Sequence, residues 1–272
     1  MLSFPEAGTA LAPAARASQL LAWLLAQPLE GYEKSIKMSE GSLLEKRFLA
    51  GLRAADLPPA QLDALCRRLE MPADLLASMM GQLAGADVVH FGYEEGPDSA
   101  IFKVYLEYAA GLDAARAAGI ESFLLHRAFK WDALDPARRA VASYCCFPGL
   151  SHEQVLARIA ALYPGRSDHP VLELARTLTR QTTTDNNAPP MYLEVRETDN
   201  SRASFDLNFH AAQLQLTAIE SQAFELARRH SIPPARFQSL WADLAAKTLC
   251  HISGGLSRDG QDFLTIYYDP LS

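Results

Sequence analysis

Cysteine is scarce. The 272 residues hold four: Cys66, the adjacent pair Cys145 and Cys146, and Cys250. No C-x-x-C occurs, and adjacent cysteines on a strand point to opposite faces, so neither a zinc site nor a disulfide framework is expected. Four buried thiols in a reducing cytoplasm are expected instead. Basic charge is also short: 25 Lys and Arg stand against 32 Asp and Glu, a formal net charge of -7. That argues against nucleic acid as the main partner, because neutralising phosphates takes clustered cations. A local basic pocket for a small phosphorylated ligand is still compatible. No apolar run approaches the roughly 20 residues that span a bilayer. The opening "MLSFPEAGTALAPAARASQLLAWLLAQ" has no basic stretch ahead of its apolar residues, and Arg16 lies among them. Neither membrane insertion nor a signal peptide is expected.

What is present is an ordinary globular balance, 49% hydrophobic and 21% charged, read as one domain over residues 1–272. Helical periodicity marks "ASQLLAWLLAQ", "GSLLEKRFLAGLRAA", "PPAQLDALCRRLE" and "PADLLASMMGQLAG". It returns in "SHEQVLARIAALYP", "HPVLELARTLTRQ", "LQLTAIESQAFELARRH" and "PPARFQSLWADLAAKTL". Between them lie strand pairs joined by turn-forming residues: "VVHFGYEE" with "AIFKVYLEY", "MYLEVRET" with "RASFDLNFH", and "LCHISGGLS" with "DFLTIYYDP". "SFLLHRAFKWD" with "RAVASYCCFPG" makes a further pair, and "LEGYEKSIKMSE" is a weaker candidate strand region. "TTTDNNAPP" reads as a loop. The order helix, hairpin, helix recurs about five times, which suggests one supersecondary unit reused. Tight antiparallel pairs exclude a strictly parallel βαβ sheet. Such hairpins form either an open sheet or an antiparallel barrel of about ten strands with the helices outside.

Side chains alternate faces along a strand. Lys103, Tyr105 and Glu107 therefore share one face of "AIFKVYLEY". By the same reading Glu33, Ser35 and Lys37 group together, as do His126 with Lys130, Tyr192 with Glu194 and Arg196, Ser204 with Asp206, Asn208 and His210, and Thr265 with Tyr267. Alternation alone fits a sheet with one solvated side. Tyrosines recurring beside Lys and Arg on that polar face point instead to a hydrated barrel interior. His90 and His251 read as satisfied strand histidines rather than catalysts.

Several of these stretches resemble the αββα prenyltransferase barrel, above all its cyanobactin-type branch acting on peptides. "YEKSIKMSEGSLLEKRFLAGL" is similar to that branch's first strand and following helix. "HFGYEEGPDSAIFKVYLEY" resembles its second hairpin, and "GGLSRDGQDFLTIYY" a later one. The resemblance implies an α+β fold, a ten-stranded antiparallel barrel of about five αββα units. It also implies transfer of a dimethylallyl or similar short prenyl group from its diphosphate to an Arg, Tyr or Trp side chain of a ribosomally made, cyclic peptide. Dimethylallyl diphosphate would be the co-substrate, with Mg2+ assisting and no protein-held metal. The protein would act in the cytoplasm as a monomer or weak homodimer.

Glu33 matches the family's first-strand acid, placed to orient or deprotonate the acceptor. Lys37, Arg47 and Lys103 match contacts to the diphosphate, and Tyr267 matches a tyrosine near the donor. Face parity adds Lys130 and Arg196 to the diphosphate group and Tyr105 and Tyr192 to the shielding of the prenyl cation. Glu107, Glu194 and Asp206 are candidates to hold the acceptor, Glu107 standing where the family pattern leads one to expect a cation or neutral residue. The residue types suit the chemistry. Cations stabilise the leaving diphosphate, aromatic faces shield an allylic cation, and a carboxylate removes the proton. The lack of a D-D-x-x-D run argues against the all-helical prenyltransferases. A prenyltransferase acting on a small aromatic molecule and a non-catalytic barrel that binds an apolar ligand or a peptide are the alternatives.

Overall fold

The alternation in "GYEKSIKMS" builds β1 (Gly31–Ser39) in a computed structural model that describes residues 11–166, 168–184, 190–198, 200 and 202–271. The other strands are β2 (Ser42–Leu44), β3 (Arg47–Arg53), β4 (Val88–Gly96), β5 (Ser99–Glu107) and β6 (Phe123–Asp132). They continue with β7 (Arg139–Cys146), β8 (Met191–Glu197), β9 (Ala203–Asn208), β10 (Thr248–Leu256) and β11 (Asp262–Asp269). Every neighbour is antiparallel in the order β11-β10-β9-β8-β7-β6-β5-β4-β3-β1, and β11 pairs back onto β1 from Lys34↔Tyr268 to Ser39↔Phe263. The sheet is thus a closed ten-stranded antiparallel barrel. Closure removes the free edges on which an open sheet would aggregate.

The first hairpin corrects a sequence expectation. "GSLLEKRFLAGLRAA" is not a helix. It folds as β2 and β3, which pair with the far and near halves of β1 and break at Glu45–Lys46. The helical spacing of Leu43, Leu44, Phe48 and Leu49 is outweighed by pairing on both sides: Gly31–Lys34 lie on one edge of β3 and Val88–Glu94 on the other. "TTTDNNAPP" falls partly outside the described residues, as does the turn "DNS".

Helices cover the outside. They are α1 (Pro13–Leu25), α2 (Pro59–Arg68), α3 (Ala73–Met80), a short α4 (Leu112–Ala117) that the pattern did not signal, α5 (His152–Ala161), α6 (Pro170–Thr184), α7 (Glu220–Arg229) and α8 (Pro234–Leu244). Prolines open α2 and α8, where a missing N–H costs nothing. Ser151 caps α5 in a reciprocal box with Gln154. One core lies between α1–α3 and β3–β6, with Leu20, Leu62, Phe91 and Phe102 buried. The other lies between α5–α8 and the strands β8–β11 and β1, with Leu178, Phe205, Leu226 and Ile266 buried. Each such side chain contributes about 1.5–3 kcal/mol on leaving water. The Trp131 indole N–H donates to the Leu69 carbonyl at 3.1 Å, tying β6 to the end of α2. With their apolar faces committed outward to the helices, the strands turn their other face into an enclosed lumen.

Candidate functional site

The lumen holds two cavities. One, of about 440 Å³, opens at the end formed by the β2–β3, β4–β5 and β10–β11 connections. The other, of about 580 Å³, opens at the opposite end. Tyr105, Tyr144 and Tyr267 line both and form a waist between them.

The first cavity is cationic. Arg47 and Glu94 are directly paired across β3 and β4, and Arg47 Nη2 lies 3.2 Å from Glu94 Oε2. Glu94 also accepts from Lys37 Nζ at 3.0 Å and from Lys103 Nζ at 2.8 Å. One carboxylate therefore gathers three cations from three strands. Burial opposes its ionisation, yet Arg47, Lys103 and Lys37 hold the Glu94 carboxyl well below the usual carboxylate range. The cations outnumber it. Lys103 lies directly opposite Lys130 across β5 and β6, a pairing that sheets disfavour. Burial, together with Arg47 and Lys37 and against the pull of Glu94, takes Lys103 down to about 8. Burial with Arg202 and Lys103 pushes Lys130 well below the usual lysine range. Lys130 forms no ion pair among the described residues and sits 5.5 Å above the Tyr144 ring. Arg47 leaves Nε and Nη1 buried without partners, and its guanidinium is 6.0 Å from the Tyr267 ring. Crowded, underpaired donors lining one buried cavity are the arrangement that a polyanion stabilises.

A second carboxylate, Glu197, closes the rim. It accepts from Arg202, Arg258 and Asn200 at 2.7–2.8 Å, and these neighbours, against burial, bring it down to about 2. Both central carboxylates of this half are fully engaged, so the residues do not fit a protein-held Mg2+, which takes carboxylate oxygens of its own.

The second cavity is acidic and rich in histidine. His251 bridges Asp206, at 2.8 Å from Nδ1, and Glu33, at 2.9 Å from Nε2. His210 Nε2 lies 2.8 Å from the other Glu33 oxygen. Burial disfavours the charged imidazole, but Asp206 and Glu33 raise His251 to about 10; in return, His251 and His210 hold Glu33 below the usual carboxylate range in spite of its burial. Across the lumen His90 Nε2 is 2.6 Å from Glu107 Oε2, and His126 Nδ1 is 4.0 Å from the same oxygen. Burial pushes His126 down to about 4 although Glu107 opposes it. Gly51 makes the fit possible: a Cβ there would lie 2.7 Å from His90 Nδ1. Leu49, Leu125, Met191 and Leu193 supply an apolar wall. Two groups have the composition of metal ligand sets, His90–Glu107–His126 and Glu33–His210–Cys250. Burial and Glu33 push the Cys250 thiol up and keep it protonated, which suits a core residue better than a metal ligand.

Of the residues singled out in the sequence, Lys37, Arg47, Lys103 and Lys130 come together in the cationic cavity. Glu33, Glu107 and Asp206 line the acidic one, and Tyr105 and Tyr267 stand at the waist. Tyr192, Glu194 and Arg196 do not join them. Pairing of Tyr144 with Val195 and of Cys146 with Leu193 turns Leu193, Val195 and Glu197 inward and sends the predicted trio outward. The cause is α5: its Arg158 lies 2.7 Å from Glu194 and stacks on Phe147, which in turn meets Tyr192, so the polar residues of β8 find their partners outside the barrel. Arg196 is 68% exposed.

The sequence reading gave no role to Glu94, Tyr144, Glu197 or Arg202. Of the lumen histidines it took His90 and His251 for satisfied strand residues and assigned none to His126 and His210, which it grouped on polar strand faces. Glu94 and Tyr144 were within reach of face parity, since His90–Gly92–Glu94 oppose Val89–Phe91–Tyr93, and Ala140–Ala142–Tyr144 share a face. His90, His126 and His251 are strand residues that face the lumen, and His210 lies in a short 3-10 turn after β9 with its ring against Glu33.

Neither a protein-family model nor a curated protein matches this sequence. Solved structures do match its fold. The 5-dimethylallyltryptophan synthase from Streptomyces coelicolor superposes with a TM-score of 0.60 over 88% of this chain and 80% of that one, at 13% identity. The apo form of prenyltransferase PriB gives 0.58 over 88% and 79% at 15% identity. AnaPT from Neosartorya fischeri gives 0.53 over 87% and 77% at 12% identity.

Proposed function

We propose, from the premise that this chain has the fold of the αββα prenyltransferase barrels, that it transfers a dimethylallyl or similar short prenyl group from its diphosphate to an acceptor held in the same lumen. The observation that carries this reading is the division of one lumen by three tyrosines into a cationic half and a half of carboxylates and histidines. The diphosphate sits among Arg47, Lys37, Lys103 and Lys130, taking the free Arg47 N–H donors and relieving the repulsion between the cations. The bond from prenyl C1 to the bridging oxygen breaks with its electron pair leaving on the diphosphate, which those cations stabilise. Tyr105, Tyr144 and Tyr267 present ring faces to the allylic cation and keep water from it. The acceptor attacks C1 from the other half, and its proton passes to the Glu33–His251–Asp206 or the Glu107–His90 pair.

The acceptor belongs to a ribosomally made peptide if the cyanobactin-type resemblance extends to substrate. A small aromatic acceptor is the second reading, favoured by the likeness to a dimethylallyltryptophan synthase. Thermal shift and pyrophosphate release with dimethylallyl diphosphate test the reading. Binding is expected in the wild type and lost in Arg47→Ala and Lys103→Ala. A protein that neither gains stability from the donor nor releases pyrophosphate with any acceptor is a binding barrel, and the transfer reading is then wrong.

A further inference from the structure

We infer that the acceptor group is a guanidinium, held by Glu107 against the apolar wall of the second cavity. This rests on the transfer reading and adds the substrate class to it. Among the described residues the second cavity is lined by Glu33, Glu107 and Asp206, with Glu30 and Asp269 near its mouth, and by no Lys or Arg. The cationic half of the same lumen shows the reverse bias. A neutral phenol or indole needs one base and aromatic surface. It has no use for several carboxylates, and beyond the waist Tyr32 is the one phenolic ring that lines this half among the described residues.

The carboxylates are also unequally committed. Glu33 has His210 on one oxygen and His251 on the other. Glu107 takes His90 on Oε2 only, with His126 Nδ1 at 4.0 Å buried and without a hydrogen-bond partner. Glu107 thus has an oxygen to offer. A guanidinium matches it, being a planar fork of N–H donors that bonds carboxylates in pairs, carried on an aliphatic stem. The stem suits the wall of Leu49, Leu125, Met191 and Leu193.

The reaction balances. A terminal nitrogen forms a bond to prenyl C1 as the C1–O bond breaks, and the electron pair leaves with the diphosphate. One N–H proton goes to the Glu107 carboxylate and on to solvent. The products are a prenylated guanidinium that keeps its single positive charge, pyrophosphate and a proton.

Dimethylallyl diphosphate is incubated with the full chain and with matched peptides, linear and cyclic, bearing Arg, citrulline, Lys, Tyr or Trp, and with agmatine, each product read by mass. The Arg peptides should gain one prenyl mass, the citrulline peptides none. Modification of agmatine as well identifies the guanidinium as sufficient, while modification of peptides alone identifies a peptide acceptor. Glu107→Gln should reduce transfer to Arg about 100-fold, with donor affinity, measured by calorimetry on the same sample, within about twofold of wild type. That second measurement shows that the variant is folded. Donor binding with Arg acceptors left unmodified overturns the guanidinium assignment and leaves the transfer reading standing. Absence of donor binding defeats the transfer reading itself.

Discussion

His251 lies flat on Tyr267. Their rings, at directly paired positions of β10 and β11, are parallel within 12° and 3.7 Å apart between centroids. Because Asp206 and Glu33 hold both nitrogens of His251, the stack fixes the Tyr267 ring at the waist. The charge network of the second cavity thereby positions an aromatic face for the first.

Tyr267 should therefore act through its ring rather than its hydroxyl, which burial pushes far above the usual phenol range. Tyr267→Phe is expected to transfer at close to the wild-type rate. Tyr267→Ala should lose about tenfold or more and divert donor to free prenyl alcohol, because a cation–π contact and a barrier to water are both removed. The ratio of alcohol to prenylated product, by chromatography, measures the diversion. An unchanged ratio would remove Tyr267 from the shield.

Glu94→Gln should destabilise the protein by about 3–5 kcal/mol in chemical denaturation, since it leaves Arg47, Lys37 and Lys103 buried together without their shared anion. Inorganic pyrophosphate should restore more stability to this variant than to the wild type, by supplying the missing charge. Equal stability of the two proteins without pyrophosphate would show that the three cations relax apart at little cost.

Lys103, down at about 8 in the free protein, sets a pH dependence for donor binding. Below that value it is an ammonium ready to pair with the diphosphate; above it, a proton must be taken up on binding. Affinity for dimethylallyl diphosphate should be flat from pH 6 to 7.5 and fall by up to about tenfold per unit above pH 8. Lys103→Arg, which keeps its charge, should flatten the upper limb in calorimetry. A limb unchanged in that variant would point to another group.

For His251 the shift runs the other way. Its folded value of about 10 lies above the ordinary value near 6.5, so its stabilisation is complete below about pH 6.5 and is lost as pH rises through about 10. Glu33, held low, withdraws its share only as pH falls below about 4.5. The difference in melting temperature between wild type and His251→Gln should be widest near pH 5–6 and close toward pH 10. A difference constant with pH would mean that His251 contributes packing and no charge.

The barrel itself was legible in the sequence. Repeated hairpins with turn residues, apolar stripes on the intervening helices and the parity of β1, β5, β6, β9 and β11 follow from local periodicity, which is a property of the chain alone. That parity puts Lys37, Lys103, Lys130, Glu33, Glu107 and Asp206 on the polar faces of their strands. Tertiary structure decided the rest. Arg47 sits on β3 and not on a helix because β1 and β4 hydrogen-bond to both its edges, a long-range gain that local helical spacing cannot register. Tyr192, Glu194 and Arg196 face outward, where Arg158 of α5 meets Glu194 and Phe147 meets Tyr192, and Leu193 and Val195 take their place inside. Glu94 became the centre of the cationic half only when the pairing of β1, β3, β4 and β5 brought Lys37 and Lys103 to the same carboxylate. Which face a side chain takes is set by a two-residue period; what it meets there depends on strands that lie far away in sequence.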